Sequence, residues 1–212
     1  MFRIFGIPVI FNWIFFATLA LLGGAFRAQG PEAWLDVGLF VLAGTVSILV
    51  HEFGHAMVGR KLGGGNPVIH LHALGGLCSF ERSNFSRKQD FMMVAAGPLA
   101  GFALALLMFL ALMILPDTAP PKIHFLIFTT CLINVVWSII NLLPVLPMDG
   151  GRLVQAALGP KRLRATLIIG IITTAVCIPF AIKSGFILMP ILLVWFAWQN
   201  IKVLMAIQRA SR

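Results

Sequence analysis

Charged residues are scarce in this chain of 212 residues. Only 11% of the residues are charged and only seven are acidic, whereas about a quarter of a typical soluble domain is charged. Hydrophobic residues make up 59% of the chain, which excludes intrinsic disorder, because disordered chains lack apolar residues. The composition also excludes a soluble domain, and a membrane protein with several spans remains.

Cysteine is rare as well, with three residues at Cys78, Cys131 and Cys177. They are far apart, odd in number and form no Cys-x-x-Cys pair, so the sequence predicts neither a disulfide framework nor a cysteine metal site. The shortage of acids leaves a net charge of +9. In so apolar a chain this excess does not indicate a nucleic-acid partner, and none is expected.

The apolar runs predict an all-α polytopic membrane protein with about six transmembrane helices. A spanning helix needs about 20 apolar residues. Pro179 and Pro190 interrupt the last two runs, which could form two short spans or one bent hairpin. The first run is taken as a retained span because no clean signal-peptide cleavage site follows it. The predicted spans cover residues 7–26, 37–58, 91–115, 123–140 with a continuation to about 146, 167–182 and 186–203.

The basic residues predict the orientation of these spans. An even number of spans puts both termini on one side of the membrane. Thirteen of the 16 basic residues then lie on that side and three lie on the other. Because cytoplasmic loops carry an excess of lysine and arginine, this side is predicted to be cytoplasmic.

One long connection, over residues 59–90, is expected on the cytoplasmic side. Its alternating run 68–74, followed by Gly75 and Gly76, predicts a short β-strand or hairpin between the second and third helices. No loop in this chain is long enough for an appended globular domain. The whole of 1–212 is therefore predicted to be a single membrane domain.

Two smaller features of this loop carry predictions. Ser86 followed by Gln89 fits a capping box that opens the third helix. His70 and His72 fall on one face of the predicted strand and could bind a metal. The alternative is that they are polar residues on the wet face of a sheet, which is an ordinary arrangement.

The pattern His51-Glu52-Phe53-Gly54-His55 ends the second span. Residues i and i+4 share one face of a helix, so His51 and His55 can present two imidazoles to one metal ion. Glu52 lies about 100° round the helix and can reach a metal-bound water without being a ligand. This is a zinc-site motif in which the glutamate serves as general base. An accidental pattern is a poor explanation, because ionisable residues inside a span are costly.

A zinc hydrolase needs a third protein ligand and an open fourth position. Asp149 closes the proline-containing segment 141–151 at the cytoplasmic end of the fourth span, at a depth similar to that of His55. Unwound backbone at this depth is tolerated only beside protein or a wet cavity. Asp149 is therefore the best candidate, against the alternative of a loop or helix-end carboxylate. The other acids lie across the membrane or in the polar part of the loop: Glu32, Asp36, Glu81, Asp90 and Asp117.

Together these elements resemble the site-2 protease family of intramembrane zinc metalloproteases. The resemblance rests on residues 51–55, on the segment 141–151 that contains Asn141 and Asp149, and on the small-residue run 95–101. It implies a three-helix catalytic core over about 37–155, with accessory spans over about 7–26 and 167–203. Many members also carry a PDZ or CBS domain, and this chain is expected to be a minimal member without either.

The resemblance implies one zinc ion per chain, held by His51, His55 and Asp149, with Glu52 as the base. The implied activity is an intramembrane zinc endopeptidase, which cleaves peptide bonds in or near transmembrane segments of other membrane proteins. Its role would be regulated intramembrane proteolysis or signal-peptide clearance. The expected setting is the lipid bilayer of a prokaryotic inner membrane, with both termini cytoplasmic and the active site near the cytoplasmic face.

Candidate substrate-binding residues are Asn141, Leu74, Gly75 and Gly76. The strand over 68–74 could pair with a locally unwound substrate segment. Asn141 could bind the substrate backbone or the oxyanion, or it could only satisfy the broken helix. The oligomeric state stays open.

Two other functions compete with proteolysis. A membrane divalent-metal transporter could use the same histidines and aspartate, but its polar path should continue across several spans. Here the ionisable residues cluster near one face of the membrane. An inactive membrane scaffold is also conceivable, and the intact set of His51, Glu52, His55 and Asp149 argues against it.

Overall fold

The computed structural model describes residues 2–82, 84–183 and 188–210. Its helices are α1 (Trp13–Leu22), α2 (Gly30–Lys61), α3 (Arg87–Ile114), α4 (Pro121–Asn141), α5 (Asp149–Leu158), α6 (Leu163–Lys183) and α7 (Leu188–Ala210). Its strands are β1 (Phe2–Ile4), β2 (Ile7–Phe11), β3 (Pro67–His72) and β4 (Gly75–Phe80). The chain divides into two compact units. The first unit is Met1–Phe85 with Ala96–Ser138, and the second is Ser86–Ala95 with Ile139–Arg212.

Five helices within the described residues are long and apolar enough to cross a membrane, namely α2, α3, α4, α6 and α7. These helices expose large apolar side chains such as Leu106, Leu110, Ile172, Val176 and Trp198. Apolar surface on this scale is unfavourable in water but is solvated by lipid tails. The chain is therefore an integral membrane protein.

The predicted first span over residues 7–26 is not a single helix, and this prediction was wrong. Ile7–Phe11 form strand β2, and the helix α1 has only ten residues. Asn12 ends the strand and caps α1, because its Oδ1 accepts a hydrogen bond of 3.0 Å from the N–H of Ile14. Ten helical residues extend about 15 Å, half of the roughly 30 Å hydrocarbon core. Hydropathy does not distinguish an apolar strand from an apolar helix.

The first unit contains a four-stranded sheet in the order β1-β2-β3-β4. β2 and β3 are parallel, with Val9 opposite Ile69, and the two outer pairs are antiparallel. Alternate residues of β2 and β3, including Val9 and Ile69, are buried against Phe15 of α1 and Ile48 of α2. One face of the sheet therefore packs against α1 and α2.

The N-terminal strands lie beside the last turns of α2. Arg60 donates a hydrogen bond of 3.3 Å to the backbone oxygen of Phe5, in the turn between β1 and β2. α1 then runs back along α2, where Leu19 packs onto Gly44. A Cβ atom at Gly44 would come within 2.8 Å of Leu19 Cδ2, so a larger residue there would require the Leu19 side chain to shift.

The boundaries of the later helices follow local chemistry. The capping box predicted at Ser86 is confirmed, because Ser86 N–H donates to Gln89 Oε1 at 2.9 Å and Gln89 N–H donates to Ser86 Oγ at 3.3 Å. α4 ends at Asn141 and does not continue to residue 146. Residues 142–148 form turns that include a cis Leu146–Pro147 peptide bond.

The second unit contains α5, α6 and α7, and the last two are separate helices. Pro179 lies inside α6, whereas Pro190 falls in the first turn of α7, where a missing N–H removes no helical hydrogen bond. The predicted start of the sixth span at residues 186–187 lies outside the described residues.

Candidate metal centre

His51 and His55 of α2 present their imidazoles to one another across one helical turn. Both side chains are buried, at 2% and 4% exposure, and their Nε2 atoms lie 3.1 Å apart. A tetrahedral zinc ion with Zn–N bonds of about 2.0–2.1 Å holds two nitrogens about 3.3 Å apart. The two histidines therefore fit a shared zinc ion in both donor type and spacing.

The passage of α3 beside α2 leaves room for the imidazole of His55. A Cβ atom at Gly97 would overlap Nε2 and Cε1 of that ring. At the residue before His55 on α2, a Cβ atom at Gly54 would overlap the backbone oxygen of Ala96. The small-residue run 95–101 noted in the sequence thus has a physical reason, which is the close approach of α3 backbone to the histidine-bearing helix.

Glu52 is buried beside the first residues of β4. A Cβ atom at Gly76 would lie 2.5 Å from Glu52 Oε1 and 2.6 Å from Cδ. A Cβ atom at Gly75 would come within 2.6 Å of the Trp137 ring. Gly75 and Gly76 therefore lack side chains because Trp137 and Glu52 occupy the space. Nothing in the spacing of Trp137 along the sequence indicates this neighbour on β4.

Leu74 lies in the turn between β3 and β4, and its side chain is exposed. Its N–H donates a hydrogen bond of 3.3 Å to His72 Nδ1. His70 and His72 line an open cavity of about 670 Å³ on the outer face of the sheet, together with Leu77 and Ser79. Within the described residues, no third histidine, cysteine or acidic side chain joins them to form a metal-binding group.

Asp149 is the first residue of α5, in the second unit. Its side chain is only 8% exposed, and a carboxylate in the first turn of a helix is stabilised by the helix dipole. Cβ atoms at Gly150 and Gly151 would overlap backbone atoms of residues 142–146. These glycines therefore allow the start of α5 to press onto the preceding segment, rather than forming a tight turn. Asn141 is the last residue of α4 and is half-buried.

Three of the other acids lie near the start of α2 or in the loop after α3. Lys122 of α4 pairs with Glu32 at 3.1 Å and with Asp36 at 2.7 Å. Asp117 is exposed in the loop between α3 and α4. The pairs with Lys122 account for Glu32 and Asp36 without a metal.

The two remaining acids also have other partners. Asn66 donates hydrogen bonds to Glu81, including one of 3.1 Å from Nδ2, and these bonds hold the pKa of the Glu81 carboxyl below its usual value. Asp90 pairs with Arg152 at 3.5 Å. Among the described residues, the buried acids are Glu52 and Asp149.

A comparison with family models identifies the family. The model described as Peptidase family M50 matches residues 39–124 and 117–180, which is about two thirds of the chain. This chain belongs to peptidase family M50. The site-2 protease resemblance drawn from the motifs is thereby confirmed. The region matched to family M50 includes the histidines of α2 and the segment that carries Asp149.

Curated relatives of this M50 family member include two with zinc metalloprotease names and one sporulation protein. Zinc metalloprotease MJ0392 of Methanocaldococcus jannaschii is 30% identical over 163 residues, which cover 76% of this chain and 45% of that protein. Putative zinc metalloprotease sll0528 of Synechocystis sp. is 29% identical over 163 residues, covering 72% and 42%. Stage IV sporulation protein FB of Bacillus subtilis is 30% identical over 132 residues, covering 58% and 44%. The chain thus spans less than half the length of these relatives.

The fold of this M50 family member also matches a solved structure. The site-2 protease from Methanocaldococcus jannaschii superposes with a TM-score of 0.67 and covers 95% of this chain and 93% of that chain. The two sequences are 23% identical. At this identity the likeness establishes a shared fold.

Proposed function

We propose that this chain is an intramembrane zinc endopeptidase, which hydrolyses peptide bonds in or near transmembrane segments of other membrane proteins. The observation that carries the proposal is the buried imidazole pair of His51 and His55, with Nε2 atoms 3.1 Å apart and the buried Glu52 adjacent in the helix. Membership of family M50 and the names of the relatives support the same chemistry. The five long apolar helices support a substrate that is drawn from the bilayer.

We assign His51, His55 and Asp149 as the ligands of one zinc ion per chain. Two imidazoles and one carboxylate with an open fourth position form a catalytic zinc pattern. Each of the three side chains is buried, as a protein ligand of such a zinc ion would be. When bound, zinc supplies a Lewis acid that polarises the scissile carbonyl and lowers the pKa of a water molecule.

Glu52 is the proton carrier in this proposal. Its carboxylate takes a proton from the attacking water while the new C–O bond forms at the peptide carbonyl carbon. The C–N bond then breaks, and Glu52 returns the proton to the leaving nitrogen, which departs as an amine. The contact with Gly76 holds the carboxyl group in place, because the neighbouring strand leaves it little space.

The open edge of the sheet is our candidate for substrate binding, and it replaces the earlier assignment to residues 68–74. β3 cannot accept a substrate strand, because β2 and β4 pair with its two sides. Among the described residues β4 is an edge strand of the sheet, so its outer side is available for β-augmentation. Gly76 lies at the start of that strand, beside Glu52.

The direction of the backbone groups supports this choice. The N–H of Asn12, which follows β2, donates to the backbone oxygen of Leu71 at 2.9 Å, so the carbonyl of Leu71 faces β2. The N–H and C=O groups of successive residues point to opposite sides of a strand. Those of His70 therefore point towards β4, where His70 lies opposite Leu77. The N–H and C=O of Gly76, one residue from Leu77, then point towards the outer edge of the sheet.

The proposed setting is a prokaryotic inner membrane with both termini in the cytoplasm and the site near the cytoplasmic face. It is supported by the excess of basic residues assigned to that side. Reporter fusions at the two termini would test it. A periplasmic location for either terminus would contradict it.

The test of the proposed activity is Glu52→Gln in the purified full chain. Cleavage of a tagged single-span substrate should fall by about 10²- to 10⁴-fold, because a general base of this kind contributes that much. Bound zinc should stay at one per chain. The matched control is Glu81→Gln, which changes an exposed glutamate of the loop and should leave cleavage unaltered. Full cleavage by Glu52→Gln would refute the assignment, and zinc uptake into liposomes without any cleavage would favour a transporter.

The edge proposal is tested by photo-cross-linking in the Glu52→Gln background. A cross-linking amino acid at Ser79 of β4 should capture the substrate. The control position is Arg3 of β1, at the opposite edge of the same sheet. Equal capture at both positions, or capture at β1 alone, would contradict binding along β4.

A further inference from the structure

Asn200 is a polar residue in the interior of α7, outside the predicted catalytic core. It is only 2% exposed. Polar side chains at such positions in membrane helices are costly unless hydrogen bonds satisfy their polar groups. Its Nδ2 donates a hydrogen bond of 2.8 Å to the backbone oxygen of Phe196, one turn earlier, and a second bond of 2.7 Å to the backbone oxygen of Leu146. The second bond leaves the helix and reaches the segment that precedes Asp149.

α6 is shaped to let this contact form. A Cβ atom at Gly170 would lie 3.2 Å from Asn200 Oδ1 and 3.4 Å from the backbone oxygen of Pro144. The first distance is shorter than most Cβ contacts, and the second is at the lower limit of ordinary van der Waals contact. Gly170 therefore lets α6 pack against the Asn200 amide and against the segment after α4, and the three meet at one place in the second unit.

The same segment supports the start of α5. Gly151 presses onto the backbone of Val145 and Leu146, where a Cβ atom would lie 2.5 Å from Leu146 N. Met148 N–H donates to Val145 O at 2.8 Å. Asp149 follows directly as the first residue of α5. The position of residues 145–148 thus determines the position of the Asp149 carboxylate.

We propose that Asn200 is a positioning residue, which fixes the Leu146 carbonyl and thereby holds Asp149 where it can act as a metal ligand. This inference rests on the proposed role of Asp149 in zinc binding. Supporting residues behind a metal ligand typically contribute 10- to 100-fold to metal affinity. The two accessory helices then have a direct task in the chemistry, since α7 provides the amide and α6 provides the space for it.

The test is the zinc dissociation constant of the full chain, measured by chelator competition. Asn200→Leu keeps a similar volume and loses the donor, and Asn200→Asp keeps the shape but places a carboxylate oxygen against the Leu146 carbonyl. Each variant should weaken zinc binding by about 10- to 100-fold. The matched control is Thr174→Val on α6, since the Thr174 hydroxyl donates to carbonyls of its own helix, Gly170 O and Ile171 O. It should leave zinc affinity unchanged.

Thermal unfolding of the zinc-free proteins separates positioning from a general structural role. Positioning predicts weaker zinc binding even where the zinc-free variant melts at the same temperature as Thr174→Val. Wild-type zinc affinity in both Asn200 variants would overturn the inference, provided that Asp149→Ala loses zinc. If Asp149→Ala binds zinc as tightly as the wild type, the ligand assignment itself fails. The two failures are thus distinguishable.

Discussion

Replacing Gly97 by alanine should displace a metal ligand through a single methyl group. The new Cβ atom would overlap Nε2 and Cε1 of His55. Ordinary contacts begin near 3.4 Å, so the imidazole must withdraw by about 1 Å, whereas metal sites tolerate deviations of only about 0.2 Å in ligand distance. We therefore expect Gly97→Ala to weaken zinc binding at least about 100-fold, which corresponds to about 2.7 kcal/mol.

The assay is chelator competition for zinc, accompanied by thermal unfolding of the zinc-free protein. Overpacking by one methyl group costs about 1–3 kcal/mol, so the fold should persist. Gly38→Ala on α2 is the matched control, because nothing lies within 4 Å of its Cβ position. This control should bind zinc normally. It should also fold at least as stably as the wild type, because alanine favours a helix over glycine by about 1 kcal/mol. Wild-type zinc affinity in Gly97→Ala would refute the close approach of α3 to His55.

Three further changes have distinct expected outcomes. Gly76→Ala should push the Glu52 carboxylate aside and lower the cleavage rate at least about 10-fold with unchanged bound zinc, as parallel cleavage and metal assays would show. Arg87→Ala removes hydrogen bonds to the last carbonyls of α5 and should cost about 1–2 kcal/mol, or about 5 °C in melting temperature. Asn66→Ala should raise the pKa of Glu81 towards 4.5, measured by carboxyl NMR titration. Because the pKa of Glu81 is lowered in the folded protein, the ionised carboxylate stabilises the fold at pH values above the pKa of the unfolded chain. This stabilisation is lost as the pH falls through the lowered pKa of the folded protein.

The zinc motif could be predicted from the sequence because it is local. Helical periodicity alone puts His51 and His55 on one face, and the structure has their Nε2 atoms 3.1 Å apart. The capping box at Ser86 was predictable for the same reason, since it involves four consecutive residues. The rarity of acids also left Asp149 as the best candidate for the proposed third ligand, and its side chain is buried.

Features that depend on distant segments were not predictable. Residues 7–11 are as apolar as a membrane helix, and their pairing with β1 and with the distant β3 makes them a strand. The same pairing closes one side of β3 and leaves β4 as the edge, which the run over 68–74 could not indicate. The spacing of Asn200 in α7 carries no signal, because its partner is a backbone carbonyl 54 residues away.

The parallel pairing of β2 with β3 also determines the order in which the chain can assemble. Val9 is opposite Ile69, so sixty residues separate the two partners. β3 and β4 can form a hairpin as soon as both emerge from the ribosome, because only a short turn joins them. β2 must wait until α2 has been synthesised and inserted. Until β3 follows, the backbone groups of β2 that will pair with it are unsatisfied, which leaves the nascent chain vulnerable to pairing with a foreign strand.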